Sequence, residues 1–204
     1  MDFTPWPRPQ TQAERVAESA ARLQEALAAL ITEQGYLRTS AAEISERAGY
    51  SRSMVRDRYG SKDALLLALH DDYERHLVGP ELPETGLHAV LAGVERLRTF
   101  AEEHPARLQA LFIVSFEAIG AVEVMRPRVV KWINTLEAVY ATWLEQGRAN
   151  GSVRPDVDPP TEAIRMLNEA LAGAYRWILI PTTDYDRHLR NWSQALQDRF
   201  IPKP

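Results

Sequence analysis

Between residues 36 and 62 the chain sets Arg38, Arg47, Arg52, Arg56, Arg58 and Lys62 among the hydroxyls of Thr39, Ser40, Ser51, Ser53 and Ser61. Cationic side chains interleaved with short hydroxyls are the donors that phosphate oxygens and base edges accept from. Against Glu43, Glu46 and Asp57 the stretch carries 6 − 3 = +3, inside a chain of formal net charge −4. A positive patch on an acidic protein points to one phosphate-facing surface and away from indiscriminate coating of nucleic acid. No other chemistry assembles. With zero cysteines, disulfides, thiolate nucleophiles and Cys-type zinc sites are excluded. Among His70, His76, His88, His104 and His188, His70 forms an i, i+4 pair with Glu74 that is a possible metal pair. A third ligand is missing and HExxH is absent, so His70 reads as an exposed helical histidine and no metal is expected. No G-x-S-x-G, P-loop or dinucleotide-type glycine pattern occurs, so neither an enzyme nor a cofactor is expected.

The elements that must position the patch are short helices. Ser40 and Glu43 have the capping-box spacing, and Ile44 and Ala48 form an apolar pair on one face. Gly49 suits the left-handed position that ends a helix, and Ser51 is placed to cap a second one. That second helix carries Arg52, Ser53, Met54, Arg56, Arg58 and Tyr59. Small Ser45 lies where two crossing helices come close, and Val55 can plug the junction. Ser61 caps a further helix with Lys62 in its first turn. Two helices joined by a short turn with Gly make a helix-turn-helix, whose second helix enters the major groove with its N-terminal residues at the base edges. The alternative is a plain three-helix packing unit with an arginine-rich solvated face.

This stretch resembles the DNA-binding domain of the tetracycline-repressor (TetR) family of bacterial regulators. The resemblance rests on Gly35-Tyr36, Thr39-Ser40, Ile44, Ala48-Gly49, Ser51-Arg52-Ser53, Val55, Tyr59-Gly60-Ser61-Lys62-Asp63 and Leu65-Leu66, in order over about thirty positions. Arg56 stands where many relatives carry an aromatic residue, and Tyr59 where they carry Phe. The aromatic's backbone contact is then replaceable by a charge-assisted phosphate bond from Arg56. The likeness is strong over residues 12–78; beyond them only helix lengths and the loop RPDVDP resemble the family. It implies an all-α fold, a small DNA-binding head on a helical ligand-binding and dimerisation body. It also implies repression as the default.

The rest of the chain fits that outline. The 204 residues, 45% hydrophobic and 25% charged, suit a soluble globular protein with no membrane-spanning run and no signal pattern, and cytoplasmic residence is expected. Residues 1–11 are Pro-rich and read as a flexible arm, in which Arg8 could reach a minor groove. Val16, Ala20, Leu23, Leu27 and Leu30 stripe a helix over 12–34. Further helices are expected over 62–78, 85–103, 106–119, 121–149 (regular from Arg126), 161–180 and 186–200, about nine in all. The head is expected over 12–62 and the effector-binding and dimerisation domain over 63–204, with the boundary running inside the helix that starts at Lys62.

In the body, Trp132, Leu136, Tyr140 and Trp143 share one face of the longest helix, and Phe112 and Phe116 form an i, i+4 pair. With Trp177 these aromatics read either as walls of an apolar effector cavity or as ordinary core. Leu167, Leu171 and Ala174 on one helix and Leu189, Trp192 and Leu196 on the last read as a four-helix dimer interface, or as stripes packed within one chain. A helix-turn-helix reading a two-fold site favours the dimer. The expected protein is a homodimeric regulator of double-stranded operator DNA, an imperfect palindrome, released by a small apolar or aromatic molecule. Thr39, Ser40, Ser51, Ser61 and Lys62 are expected on phosphates and Arg52, Ser53 and Met54 on base edges, so Lys62→Ala should flatten the salt dependence of binding. The alternatives are a constitutive DNA-binding protein, or one answering to a protein partner, and an all-helical enzyme that happens to carry a helix-turn-helix.

Overall fold

Helix α1 (Gln12–Gln34) starts at a reciprocal cap. The Thr11 hydroxyl accepts from the Glu14 amide at 3.2 Å, and the Glu14 carboxylate accepts from the Thr11 amide at 2.6 Å. The structure, a computed structural model, describes residues 11–78 and 85–202. Most of the expected arm, with Arg8, and the expected break at Gly79-Pro80 and Pro83 lie outside the described residues. Eight further α-helices follow: α2 (Ala41–Arg47), α3 (Met54–Tyr59), α4 (Lys62–Val78), α5 (Gly86–Glu103), α6 (Pro105–Glu117), α7 (Arg126–Asn150), α8 (Pro159–Leu179) and α9 (Tyr185–Phe200). A 3-10 turn at Glu123–Met125 precedes α7, and the described residues hold no strand. The fold is all-α, with a helix-turn-helix unit at the N-terminus and a helical body after it.

The breaks follow local chemistry. Pro105 opens α6 at a position where its missing N–H costs nothing, after His104 has left the helical region at φ −135°. Gly151, at φ +79°, closes α7. The α6 helix stops at Glu117, two residues earlier than expected. Residues 118–122 form turns, and the Val122 amide returns to the Glu117 carbonyl at 2.9 Å.

Two clusters of buried side chains hold the helices. The larger runs without interruption from Leu23, Leu27, Ile44 and Val55 through Leu65, Leu69 and Tyr73 to Phe100, Leu108, Trp132 and Leu189. The smaller gathers Leu87, Val90, Val94, Trp143, Leu144, Met166, Leu196 and Phe200. Each fully buried Leu or Phe contributes about 1.5–3 kcal/mol relative to exposure. The head therefore shares a core with the body: α6 lies along α1, α4 meets α5 and α7, and α7 packs on α8. Arg107 of α6, itself buried, ties that seam by pairing with Glu25 at 2.8 Å and donating to the Ala21 carbonyl at 3.2 Å.

Candidate nucleic-acid interface and body cavity

The capping box expected at the start of α2 is formed. The Ser40 hydroxyl accepts from the Glu43 amide at 3.2 Å, and the Glu43 carboxylate accepts from the Ser40 amide at 2.8 Å. Gly49 takes φ +83° after α2, a backbone open to residues without a Cβ. Val55 is fully buried at the crossing of α2 and α3. Ser45 does more than its size suggested. Its hydroxyl donates to the Ala41 carbonyl at 2.9 Å and accepts from the Val55 amide at 3.1 Å, so it pins the second helix to the first. Ser45→Ala leaves that buried amide without a partner and should cost about 1–3 kcal/mol, read as a lower urea midpoint with an unchanged slope.

The start of α3 differs from expectation. Ser51 does not cap it; residues 52 and 53 form a turn, the Met54 amide bonds the Ser51 carbonyl at 3.0 Å, and the helix begins at Met54. Ser53 is the N-cap residue, but its hydroxyl goes to Asp57 at 2.7 Å instead of to a backbone amide. Arg52 and Ser53 thus sit on the tip of the turn, ahead of the helix. Arg52 is 76% exposed and lies 3.2 Å from Glu46. Such an exposed pair is worth about 0–1 kcal/mol and releases Arg52 at little cost.

Several expected contacts turn inward. Thr39 is 2% exposed and its hydroxyl donates to the Gly35 carbonyl at 2.9 Å, which removes it from the surface. Lys62 Nζ donates to the Tyr36 carbonyl at 3.0 Å and the Thr39 carbonyl at 2.8 Å, 4.0 Å from the Tyr36 ring centre. Burial lowers its pKa, against the opposing pull of Asp63, Glu117 and Glu43. Arg58 folds back onto α1, reaching Ser19 and, at 2.7 Å, the Val16 carbonyl. Met54 and Tyr59 are half-buried against the core. Ser40, Ser51, Arg52, Ser53, Arg56 and Ser61 remain exposed. Ser61 caps α4 as expected, accepting from the Ala64 amide at 3.0 Å. The Arg56 side chain makes no ion pair or hydrogen bond with any described residue. Side-chain direction at these positions was not encoded in the 3.6-residue period that located the helices.

The α1–α2 loop is also held from the body. Gly35 has φ +80°, and a Cβ there would stand 3.0 Å from Glu117 Oε1. The Tyr36 amide donates to Glu117 Oε2 at 3.4 Å. Glu117 ends α6, the helix that also carries Leu111, Phe112 and Ser115 into the body.

Those three residues line an apolar cavity of ≈ 60 Å³ with His70, Tyr73 and Leu77 of α4 and residues of α5, α7, α8 and α9. Of the expected wall, Phe112, Trp132 and Tyr140 are there. Phe116 is not: it packs edge-on against Tyr175 at 5.7 Å. Trp143 lies in the smaller cluster, and Trp177 stacks on Tyr185 at 4.4 Å. Three residues expected at a dimer interface, Leu167, Leu171 and Trp192, line the cavity instead. Ala174, Leu189 and Leu196 are buried within the single chain at 0%, 1% and 0% exposure, so they are closed to a second copy. Both stripes face inward because α8 and α9 each have a body helix, α7 and α5, on the side that the periodicity marked. The sequence reading missed His70 and Tyr73, whose only signal is their place on the buried stripe of α4.

His70 is 3% exposed, not a surface histidine. Its Nδ1 lies 3.3 Å from Glu74. Burial first, and then the Arg128 guanidinium, push its pKa down to about 4, against Asp71. The unfolded histidine titrates near 6.5. The depressed value means that the unfolded state binds the extra proton between those limits. The stability is complete above about pH 6.5 and lost as pH falls toward 4, by about 2 kcal/mol at pH 5. Urea unfolding at pH 7 and pH 5 should show that loss in the native protein and not in His70→Phe. Among the described residues no three side chains gather as a metal site, and no helix is long and apolar enough to cross a membrane.

Paired helices with a buried serine clasp, an exposed Arg52–Arg56 edge and a helical body behind them are the architecture of helix-turn-helix DNA-binding regulators. Residues 23–69 match the model of the bacterial regulatory proteins of the tetR family. The head carries the sequence pattern of that family. Solved structures share the fold over nearly the whole length. TylP, a TetR regulator from Streptomyces fradiae, is 18% identical, covering 93% of this chain and 89% of its own, with a TM-score of 0.73. MbdR from Azoarcus sp. CIB is 17% identical over 90% and 100%, with a TM-score of 0.73. SmeT in complex with triclosan, the Stenotrophomonas maltophilia repressor of the SmeDEF efflux pump, is 18% identical over 91% and 92%, also at 0.73. No curated protein matches the chain.

Proposed function

We propose that this protein is a homodimeric transcriptional repressor, acting in the cytoplasm on a palindromic operator and released when a small apolar molecule enters the body cavity. The observation that carries the reading is the path of α4. Lys62 at its first turn holds the loop of the helix-turn-helix, while His70, Tyr73 and Leu77 further along line the cavity. A ligand that favours a wider cavity thereby favours a displaced head, and it lowers DNA affinity by its differential affinity for the two states. The domain boundary on this reading falls within α4. Ser40, Ser51, Arg52, Ser53, Arg56 and Ser61 meet the DNA, and Thr39, Met54, Arg58, Tyr59 and Lys62 set its geometry. The dimer forms on the outer face of α8, where Ile164, Asn168, Ala172, Tyr175 and Leu179 are exposed at spacings of four, four, three and four.

The test is capture of fragmented genomic DNA by the purified protein at two salt concentrations. One enriched imperfect palindrome that survives the higher salt supports the reading; enrichment that vanishes without a common motif overturns it. On that operator, Arg52→Ala is expected to cost about 1–3 kcal/mol and to relax one position per half-site. Equal losses on operator and scrambled DNA would remove Arg52 from base reading.

A second reading has an observation of its own. At ≈ 60 Å³ the cavity is far smaller than the pocket of about 300 Å³ or more that a drug-sized ligand fills. A constitutive regulator, or one controlled by a protein partner, needs no larger space. Operator affinity that no apolar compound changes would favour it.

A further inference from the structure

Resting on the DNA-binding reading above, we propose that Asp57 selects the operator sequence, its carboxylate accepting from the exocyclic amino group of a cytosine in the major groove. Helix α3 turns its fully buried Val55 into the head. At about 100° per residue, Asp57 stands about 160° round the helix from Val55, and Arg56 only about 100°. The outer face is therefore centred on exposed Asp57 and on exposed Ser53 one turn before it, with Arg56 to one side. On a helix that lies against DNA, an anion in that place costs affinity for every sequence unless it meets a donor.

The neighbouring cations do not neutralise it. Asp57 makes no ion pair with any described residue, although an arginine stands on either side of it in the chain. Arg58 turns back onto α1, to Ser19 and the Val16 carbonyl. The Arg56 side chain bonds none of the described residues. Among those residues the carboxylate has one partner, Ser53, whose hydroxyl donates to Oδ2 at 2.7 Å. That bond fixes the carboxylate on the outer face and leaves Oδ1 open as an acceptor.

The major groove offers such an acceptor few donors. Guanine presents N7 and O6 and thymine presents O4, all of which repel a carboxylate. Adenine presents N6–H2 beside its N7 acceptor, and cytosine presents N4–H2 alone. Cytosine is thus the base whose edge carries a donor and no acceptor. Asp57 gains there and is repelled by guanine and thymine, so it discriminates by repulsion as well as by attraction. The charge sum of residues 36–62 counts Asp57 only against the basic patch; its place on the helix makes it part of the reading face.

The test uses the full-length protein on the palindrome it captures, with every base pair of one half-site substituted in turn. Affinities are read by fluorescence anisotropy for the native protein, Asp57→Ala and Asp57→Asn. The native protein should require one cytosine in that half-site. Thymine there, or pyrimidin-2-one, which is cytosine without its amino group, should weaken binding about tenfold. Asp57→Ala should bind those duplexes and the unaltered operator alike, and should bind scrambled DNA more tightly than the native protein does. Asp57→Asn keeps an oxygen for Ser53, and its amide, which donates as well as accepts, should move the preference from cytosine to adenine. Because Asp57 is exposed, both variants should melt as the native protein does. A native protein that requires no cytosine would overturn the inference and leave the regulator reading standing. So would an Asp57→Ala protein that keeps the native preference and tightens on all duplexes by one factor, since the carboxylate would then be a surface charge only. Capture of no palindrome by the native protein would overturn the regulator reading and this inference with it.

Discussion

Lys62→Ala is expected to lower operator affinity by about 10–100-fold while leaving the slope of log affinity against log salt unchanged. A lysine on a phosphate contributes about one unit to that slope. Lys62 Nζ instead faces the carbonyls of Tyr36 and Thr39 at 3.0 and 2.8 Å. Those carbonyls belong to the loop that delivers Ser40, the first cap of the helix-turn-helix. Hydrogen bonds from a charged donor are worth about 1.5–3 kcal/mol each, and the cation over the Tyr36 ring adds about 0.5–1 kcal/mol at a partly exposed site. Removing them frees the loop, so the two DNA-binding helices must be reordered on binding. The measurement is fluorescence anisotropy of a labelled operator across a salt series. A slope reduced by one unit would return Lys62 to the phosphate contact expected from its sequence position.

Ala170→Leu should abolish the effector response, with affinity for toluene lower by about 100-fold or more and operator affinity unchanged within about threefold. Ala170 of α8 lines the cavity, and an isobutyl group in place of a methyl occupies most of a ≈ 60 Å³ space. Because the space is apolar and already present, filling it should not strain the core. At about 24 cal/mol per Å³ the variant should gain about 1 kcal/mol and melt at a higher temperature. Toluene titrations of the operator complex check the first part and thermal unfolding the second. Release of both proteins at the same toluene concentration would place the effector elsewhere.

The helices themselves were legible in the sequence. The stripe Leu23, Leu27 and Leu30 and the break at Gly35 fix α1 at Gln12–Gln34, the span expected. Ser40 and Glu43 mark the start of α2, and Pro105 and Asn150-Gly151 mark two further ends. Each of these signals is local: a cap, a missing N–H or a backbone without a Cβ acts within a few residues, so the residue types suffice. The ordered motif from Gly35 to Leu66 was legible for the same reason, and the match of residues 23–69 to the tetR-family model falls on it.

What a long side chain does, and which of two apolar sides faces which neighbour, was decided only by the assembled fold. Lys62 and Arg58 are cations on the expected DNA surface by spacing alone, but nearby carbonyls of the α1–α2 loop and of α1 draw them inward. His70 and Glu74 are one turn apart either way; α7, bringing Trp132 and Arg128, makes the histidine a buried cavity wall. Leu167 and Trp192 were placed at a dimer interface because periodicity names an apolar face without naming its partner, and α5 and α7 claimed that face first. The sequence by itself determined the elements, most of their ends and the helix-turn-helix head, since short-range hydrogen bonding and backbone sterics write these into neighbouring residues. The tertiary structure decided the cavity, the outer face of α8 and the inward turn of the cations, since these depend on contacts between residues tens of positions apart, to which no local pattern is sensitive.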